Sequence, residues 1–457
     1  MKFNLNDLVL KIPGRLKGKL PVEFNSFKVD SREIIKGDIF IAIRGSNFDG
    51  HDFAKDAIKN GAVGIVVEKE VRVPSHLFQY LVPVTSDFLI ALGEYARKIN
   101  DAKFIGITGS SGKTTTKEMA SLILQEKYNI FKTPGNLNTD LSLPIFMVDA
   151  LKEKADFVIV EMGIQKEGDM DKLVRIVEPQ ISVILNIGES HVEFLKDRNG
   201  VAKEKFKIMS KSELSILNLD DDLISKLSKN YNIKKFFFGA KKRANLTGKI
   251  ISFGENNMEV EVSYLGKKYK KIFSFSGFTF FYDMLGALSI GVNLGLELDE
   301  SLDLVSNFSP IKGRGEIVML PKNIRIIDET YNSNPFSLKQ SIKKMERHKD
   351  FLIVIVGDML ELGENSPKIH EEAGRTISSV KPDVLIAFGK YAEFLKKGAA
   401  VSGLKNIFDF SDKTDVINFL KTIAIPENSI IFIKGSRGMK MEEFVENIKE
   451  RFENGKG

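Results

Sequence analysis

The segment FIGITGSSGKTTTKEMASLILQ, residues 104–125, constrains the fold more than any other part of the sequence. It begins as a short apolar strand, breaks at a run of small residues that ends in a lysine, and continues with helical periodicity. A strand that turns through glycines into a helix leaves backbone N–H groups unpaired at the positive end of the helix dipole. The segment therefore predicts a phosphate-binding loop in an α/β domain.

Each residue type in this loop has a chemical reason under that interpretation. Gly109 and Gly112 let the backbone wrap a phosphate, Lys113 can reach the β and γ phosphates, and the Thr114 hydroxyl can bind Mg²⁺. The strict pattern GxxxxGK(S/T) is not met, because Ile107 stands where its first glycine would. The alternative is a glycine-rich turn with a surface lysine, but the preceding strand and following helix favour ATP or GTP binding. The predicted nucleotide-binding residues of the loop are Thr108, Gly109, Ser110, Ser111, Gly112, Lys113, Thr114 and Thr115.

The composition excludes several classes of protein. A chain of 457 residues with 43% hydrophobic and 28% charged residues predicts two to four globular domains. The net charge of +6 is spread along the chain and predicts neither a nucleic acid nor a membrane surface as partner. The absence of cysteine excludes disulfides and thiolate chemistry. No signal peptide or membrane-spanning run is evident, so we expect a cytoplasmic protein without membrane insertion.

Three α/β regions follow from the hydrophobic patterns. Residues 1–100 contain strand patterns such as DIFIAIRG and GAVGIVVEK and predict a small α/β domain. Residues 101–310 contain the buried runs DFVIVEMG and ISVILNIG, which predict the parallel sheet of a doubly wound central domain. Period-two alternation around Leu265 and Gly266 predicts a hairpin at the edge of that sheet. Residues 311–457 alternate strands with helical stretches and predict a third, Rossmann-like α/β domain.

Two polar residues follow the buried runs of the central region. Glu161 in VIVEMG and His191 in NIGESHVEFL would lie at the carboxyl ends of strands, where open α/β sheets bind ligands. A carboxylate and an imidazole there could bind Mg²⁺ directly or through water. Taken singly, either side chain is more often a cap or a packing residue.

These motifs together resemble the Mur ligases, the ATP-dependent amide ligases of bacterial cell-wall synthesis, almost from end to end. GITGSSGKTTTKEM resembles their ATP loop, TPGNLNTDLSLP their next loop, and VIVEMG with NIGESHVEFL their metal-binding strand ends. The segment VAKEKFKI is similar to the one whose lysine becomes a carbamate, which maps to Lys205, and KGRGE resembles the domain-joining motif with Arg314. The resemblance implies the catalytic residues Lys113, Glu161, His191, Lys205 and Arg314. It implies metal binding by Thr114, Glu161, His191 and carbamylated Lys205.

The third-domain motifs IIDETYNSNP, GDMLELGENSPKIH and IKGSRGMKMEE resemble those of the family member that adds D-alanyl-D-alanine to a UDP-N-acetylmuramoyl tripeptide. VDSREIIKGDIFIAIRGSNFDGHDF resembles the UDP-sugar domain. The resemblance implies that ATP phosphorylates a carboxylate and that an amine attacks the acyl phosphate, in an enzyme we expect to be monomeric. Nucleotide contacts would also come from Asp283, Arg314 and Asp328. The implied substrate-binding residues are Ser31, Arg32, Asn136, Asn138, Thr139, Tyr331, Asn332, Asn334, Lys434, Ser436 and Arg437.

Some features leave alternatives open. Thr139 and Ser142 replace an asparagine and a glycine of the family pattern, and Asp283 replaces an adenine-contacting asparagine; an ionised aspartate accepts hydrogen bonds but cannot donate one. TYNSNP could be an ordinary Asn-Pro loop, and Lys205 could be a solvated helix lysine beside Lys203. The functional alternatives are the sibling ligase that adds L-lysine or diaminopimelate, a folylpolyglutamate synthetase, and a P-loop switch or motor that makes no amide.

Overall fold

A computed structural model describes residues 3–45, 48–74, 76–135, 137–241, 243–254 and 257–453. The chain forms two compact units. The first comprises residues 1–108, 124–183 and 204–215, and the second comprises residues 109–123, 184–203 and 216–457. Three sheets, each accompanied by helices, account for the described strands, so the predicted three-part α/β fold is confirmed.

The amino-terminal sheet has five strands in the order β1-β5-β4-β3-β2. Strands β2 to β5 are parallel, whereas β1 is antiparallel to β5. The apolar side chains of Ile34, Phe40 and Ile65 pack with the alanines of α2 in one core cluster. The elements are α1 (Leu5–Lys11), β1 (Arg15–Lys17), β2 (Phe27–Lys28), β3 (Ile39–Ile41), α2 (Ala54–Lys59), β4 (Gly64–Val67), β5 (Phe78–Leu81) and α3 (Thr85–Lys98).

The central sheet has nine strands in the order β14-β13-β12-β11-β10-β9-β6-β8-β7. Its β6-β8-β7 end is parallel, as the unbroken apolar runs predict, and β12 to β14 are antiparallel. The strands are β6 (Lys103–Thr108), β7 (Ile130–Lys132), β8 (Phe157–Glu161), β9 (Ile181–Ile184), β10 (Leu214–Asn218), β11 (Lys234–Gly239), β12 (Leu246–Phe253), β13 (Met258–Tyr264) and β14 (Lys267–Phe273). The helices are α4 (Lys113–Leu124), α5 (Leu143–Ala150), α6 (Asp169–Val177), α7 (Val192–Leu195), α8 (Arg198–Phe206), α9 (Asp222–Leu227), α10 (Phe278–Asn293) and α11 (Leu298–Ser306).

The predicted hairpin joins β13 to β14 through Leu265 and Gly266. Both residues have positive φ, 48° and 80°, which a two-residue hairpin turn of this hand requires. The strand β14 lies at the end of the sheet order, so its predicted place at the sheet edge is confirmed.

The third sheet has six strands in the order β15-β16-β20-β17-β18-β19 and is parallel except for β15. In β17, Leu352 and Val354 belong to one core cluster and Ile353 to another, because successive side chains of a strand point to opposite faces. Helices must therefore cover both faces. The elements are β15 (Glu316–Leu320), β16 (Ile324–Glu329), α12 (Pro335–Lys343), β17 (Leu352–Gly357), α13 (Ser366–Ser378), β18 (Val384–Phe388), α14 (Ala392–Val401), β19 (Ile407–Phe410), α15 (Lys413–Thr422), β20 (Ile430–Lys434) and α16 (Glu442–Glu453).

Among the described residues, no helix combines the length and the apolar character that crossing a membrane would require.

Candidate functional site

The glycine-rich loop lies between β6 and α4, where the sequence predicts it. Gly112, immediately before α4, has φ 81°, and a Cβ atom there would lie 1.9 Å from Asp283 Oδ1. Only glycine fits this position, because a side chain would meet both an unfavourable backbone conformation and another side chain. Lys113 Nζ donates a hydrogen bond to the Gly109 carbonyl oxygen at 2.9 Å, so its ammonium lies across the loop. The loop is therefore a cradle with a cation at its rim.

Asn186, which follows β9, holds this loop in place. Its side-chain Oδ1 accepts from the Ser111 amide at 3.0 Å, its Nδ2 donates to the Ser111 carbonyl at 3.1 Å, and its own carbonyl accepts from the Ser110 amide. Sequence patterns alone do not single out Asn186. The available signal was its place two residues after the buried strand β9, in NIGESH.

A cavity of about 170 Å³ lies beside the loop, within the second unit. Its lining includes Ser111 and Asn186, with Phe278, Tyr282 and Asp283 from α10. The Tyr282 hydroxyl donates to Asp220 Oδ2 at 3.0 Å, and burial together with that carboxylate raises the pKa of Tyr282. The cavity is polar where it meets the loop and aromatic at α10, a lining that suits a nucleotide.

Asp283 is a buried acid, with 1% of its surface exposed. Burial raises its pKa well above the usual value, although Arg314 and Lys113 oppose the shift. Its Oδ2 has no hydrogen-bond partner among the described residues. A carboxyl group that keeps its proton carries a donor as well as an acceptor, so the raised pKa makes this side chain more like the asparagine of the family pattern than an unshifted aspartate would be.

Glu161 is the last residue of β8 and is buried, with 2% exposure. Its Oε1 accepts from Asn138 Nδ2 at 2.9 Å, which brings two residues selected from the sequence together within the first unit. Thr139 forms hydrogen bonds with Ser142 in the turn before α5. The predicted substrate residue Asn136 lies outside the described residues. Thr108 is also buried, and its hydroxyl donates to the Met162 carbonyl at 2.9 Å.

Lys205 and its neighbour Lys203 differ in exposure, although they lie two residues apart on α8. Lys205 has 1% of its surface exposed, whereas Lys203 is exposed to solvent. Because an ammonium group loses hydration on burial, a lysine buried to this extent is not the solvated helix lysine of the alternative interpretation.

His191 pairs with a residue that the sequence analysis did not select. Its Nδ1 lies 2.5 Å from Glu361 Oε2, and this contact lowers the pKa of the Glu361 carboxyl. His191 also has a left-handed backbone, φ 58°, immediately before α7. The strand β9 ends at Ile184, so His191 lies in the loop after the strand rather than at the strand end. Glu361 belongs to the motif DMLELGE, to which the sequence analysis assigned no residue role.

The third-domain residues Arg314 and Tyr331 are stacked. The Arg314 guanidinium carbon lies 3.5 Å from the Tyr331 ring centroid, and the Arg437 guanidinium lies 5.8 Å from the same ring. Asp328 is fully buried and accepts from the Gly313 amide, the Thr330 amide and the Thr330 hydroxyl. These bonds fix the backbone beside Arg314, so Asp328 orders the segment that carries the arginine.

Asn334 caps α12 and contacts the glycine-rich loop. Its Oδ1 accepts from the Ser337 amide at 2.8 Å, and its Nδ2 donates to the Ser110 carbonyl at 3.2 Å. The neighbouring Asn332 is exposed, and its Oδ1 accepts from the Ser333 amide. Of the two amides predicted to bind substrate, the structure therefore places Asn334 in a cap and a loop contact.

Lys434 and Ser436, at the end of β20, support the same segment. Lys434 Nζ donates to Glu329 Oε2 and to the Asn332 carbonyl, both at 3.0 Å. The Ser436 hydroxyl donates to the Ser333 carbonyl at 3.2 Å. Arg437 extends further, with 60% of its side chain exposed and a 3.0 Å bond to Glu442. Lys434 therefore stabilises the loop, whereas Arg437 remains accessible.

The amino-terminal residues selected from the sequence form a short 3₁₀ turn. Asp30 caps this turn and accepts from the Arg32 amide and guanidinium, which lowers the pKa of Asp30 to about 2. Ser31 is buried, whereas the Arg32 side chain is 88% exposed. Arg32 thus forms an ion pair with Asp30 and keeps an accessible guanidinium.

The sequence matches three family models that together span most of the chain. "Mur ligase family, catalytic domain" matches residues 23–111, "Mur ligase middle domain" matches residues 107–291, and "Mur ligase, glutamate ligase domain" matches residues 313–437.

Individual proteins match over nearly the whole length. The UDP-N-acetylmuramoyl-tripeptide–D-alanyl-D-alanine ligase of Rickettsia prowazekii is 32% identical, covering 93% of this chain and 95% of that protein. A crystal structure of MurF from Acinetobacter baumannii superposes with a TM-score of 0.90 at 26% identity, covering 98% of this chain and 99% of that one. MurF ligase from Thermotoga maritima in complex with ADP superposes with a TM-score of 0.83 at 28% identity, covering 94% and 98%.

Proposed function

The chain belongs to the Mur ligase family, and from this premise we propose that it joins D-alanyl-D-alanine to UDP-N-acetylmuramoyl-tripeptide, consuming ATP and releasing ADP and phosphate. The product is the UDP-N-acetylmuramoyl-pentapeptide used in peptidoglycan synthesis. The observation that carries this proposal is the match to dipeptide-adding ligases across nearly the full length of both chains, including the third domain. The amine-binding determinants implied by family resemblance lie in that domain.

The loop and the adjoining cavity support ATP binding. Gly112 lets the Asp283 carboxyl approach the loop backbone closely, and Lys113 carries positive charge at the loop rim. We propose that the loop amides and Lys113 hold the β and γ phosphates while the cavity beside Asp283 and Tyr282 takes the rest of the nucleotide. Positioning and positive charge are the main contributions a protein makes to phosphoryl transfer. The acyl phosphate formed on the tripeptide carboxylate would then be attacked by the dipeptide amine.

Magnesium would be held by Thr114, Glu161, His191 and carbamylated Lys205. No group of three or more histidine, aspartate and glutamate side chains forms a metal cluster in the described part of the chain. A buried carboxylate and a hydroxyl nevertheless suit Mg²⁺, which commonly takes one or two protein carboxylates together with substrate phosphates and water. When bound, the ion would neutralise the negative charge that develops on the phosphates.

The burial of Lys205 supports its carbamylation. A buried site disfavours the ammonium form, and the neutral amine is the form that reacts with CO₂. The reaction joins the amine nitrogen to the CO₂ carbon and releases one proton, giving an anionic group with two oxygen ligands. The positive charge of the lysine is thereby replaced by a negative one.

Lys205→Ala should therefore be nearly inactive, and bicarbonate or short carboxylates should partly restore its activity by supplying an anion to the vacated space. Lys203→Ala, which removes an exposed lysine of the same helix, should change little. Ligase rates at limiting magnesium measure both effects. Near-normal activity of Lys205→Ala under these conditions would eliminate a catalytic role for the carbamate.

We propose that the dipeptide binds near Tyr331 and Asn332. Its carboxylate end would lie near Ser436 and one of the two cations, Arg437 or Lys434. The stacking of Arg314 on Tyr331 and the exposure of Arg437 support this position. In the first unit, Asn138 and Thr139, with Asn136, would contact the tripeptide, and Ser31 and Arg32 would contact the UDP-sugar. Arg314 and Asp328 would complete the nucleotide site.

The decisive experiment measures ADP release with UDP-N-acetylmuramoyl-tripeptide and each candidate amine. D-Ala-D-Ala should outcompete D-alanine, L-lysine and diaminopimelate, because a site that pairs both ends of a dipeptide leaves polar groups unpaired around a single amino acid. A preference for L-lysine or diaminopimelate with the corresponding dipeptide acceptor would transfer the assignment to the sibling ligase. Rapid ATP hydrolysis that requires nucleic acid instead would indicate a motor.

A further inference from the structure

The contact between His191 and Glu361 joins two distant parts of the chain. Glu361 has a left-handed backbone with φ 61°, as does His191 with φ 58°. Non-glycine residues seldom adopt this conformation, and they persist in it where the surrounding structure holds them. The short contact of 2.5 Å between Nδ1 and Oε2 therefore connects two backbones that are each held in an uncommon conformation.

Packing on either side makes this contact part of a defined interface. Val192, the residue after His191, packs against the core cluster that contains Met359 and Leu362. The Glu193 amide donates to the Glu361 carbonyl oxygen at 3.5 Å. The segment that carries His191 is thus seated on the segment that carries Glu361 by apolar and polar contacts.

The Glu361 segment is also bonded to the residues proposed to surround the dipeptide. The Leu360 amide donates to the Ser436 hydroxyl oxygen at 2.9 Å, and that hydroxyl donates to the Ser333 carbonyl at 3.2 Å. One short segment therefore contacts the histidine directly and is linked to the 331–334 loop through Ser436.

We propose that Glu361 is a positioning residue that orients the His191 imidazole for its role in the ligase reaction. A carboxylate can only accept a hydrogen bond in this contact, so Nδ1 carries the shared hydrogen and Nε2 is the ring nitrogen left for another ligand. A carboxylate behind one ring nitrogen commonly fixes the tautomer and direction of a histidine that binds a metal with the other. The inference rests on the proposed function, because that function is what makes His191 a ligand of the magnesium ion.

The first readout is the imidazole itself, in the free protein. The chain has five histidines, so ¹⁵N-histidine labelling gives few ring signals, and His191→Gln identifies the one in question. Wild type should show His191 with the hydrogen on Nδ1. Glu361→Ala should shift this signal towards a mixture of tautomers, whereas Glu361→Gln should retain it, because the amide oxygen still accepts.

The second readout is the magnesium dependence of the ligase reaction. Glu361→Ala should raise the magnesium concentration for half-maximal rate about 10- to 100-fold, with a smaller change for Glu361→Gln. Glu364→Gln is the matched control, since it removes an exposed acid from the following turn and should leave both readouts unchanged.

An unchanged His191 signal and magnesium dependence in Glu361→Ala would overturn the proposal. So would equal effects of the Glu361 and Glu364 substitutions. If wild type made no amide with D-Ala-D-Ala, the proposed function would fail even where the ring signal behaved as expected, so the two failures are distinguishable.

Discussion

The helices α4 and α12 both begin after a strand and a short loop, yet only α12 is preceded by a residue with a capping side chain. Gly112 precedes α4 and has no side chain with which to cap the helix. Asn334 precedes α12, and its side chain forms a capping box with Ser337, followed by Pro335 at the start of the helix. A capping side chain satisfies an amide that would otherwise bind an anion, and proline has no amide to offer. The start of α4 is therefore suited to a phosphate. At the start of α12 the Asn334 cap takes up an amide and Pro335 has none to offer.

This difference shows why a polar loop before a helix does not by itself identify a ligand site. TGSSGKTT and TYNSNP are both rich in small and polar residues. In the second, Asn334 uses its amide for the cap and for the Ser110 carbonyl. The two helix starts are thus in contact, and the capped one supports the open one.

The largest effect should follow from removing the cation at the open helix start. Lys113→Ala should reduce ligase turnover about 10²- to 10³-fold, because one preorganised charge contact with the transferred phosphoryl group is lost. The fold should persist, as judged by circular dichroism. Lys339→Ala, an exposed lysine on α12, is the control and should keep its activity. Normal turnover of Lys113→Ala would show that the loop before α4 is an ordinary turn without a catalytic role.

An intermediate effect should follow from closing the cradle. Gly112 and Gly295 both have φ 81°, but a Cβ at Gly295 would meet nothing within 4 Å. Gly295→Ala should lose about 1–2 kcal/mol of unfolding free energy from the backbone conformation alone. Gly112→Ala should lose more and should also lose affinity for a fluorescent ADP analogue, because its methyl group collides with Asp283. If both variants lost the same unfolding free energy and Gly112→Ala still bound the ADP analogue, the predicted collision with Asp283 would be wrong.

The smallest effect should follow from altering the capped helix start. Asn334→Ala should lower the free energy of unfolding by about 0.5–2 kcal/mol through loss of the cap, as measured by urea denaturation. Asn334→Ser keeps a capping oxygen but loses the amide that reaches Ser110, so its stability should stay near wild type while the KM for ATP rises. If the serine variant were as unstable as the alanine variant, the Ser110 contact rather than the cap would account for the loss.

Local sequence patterns predicted the parts of the fold that depend on neighbouring residues. The hairpin at Leu265 and Gly266 was correct, because turn and alternation are read over a few positions. The strands β8 and β9 were correct because unbroken β-branched runs require cover on both faces. The short strands β7 and β19 were not predicted, since their few residues contribute little pattern of their own.

The candidate site was predictable where one segment contains the chemistry. The glycines and Lys113 form such a segment, and the structure places them in one loop. Glu361 and Asn186 were missed because the partner of each lies far away in the chain. A short sequence motif does not reveal such a contact. Arg437 and Lys434 looked alike in the sequence, but the structure buries Lys434 in an ion pair with Glu329.

The sequence by itself determined the phosphate loop, the α/β class and the family, because these depend on residue types at short, regular spacings. Only the tertiary structure decided which of two lysines on α8 is buried and that burial raises the pKa of Asp283. Burial depends on what other segments pack against a residue, and the pKa of a carboxyl depends on that burial and on charges brought near it by folding. Neither quantity is a property of the local sequence.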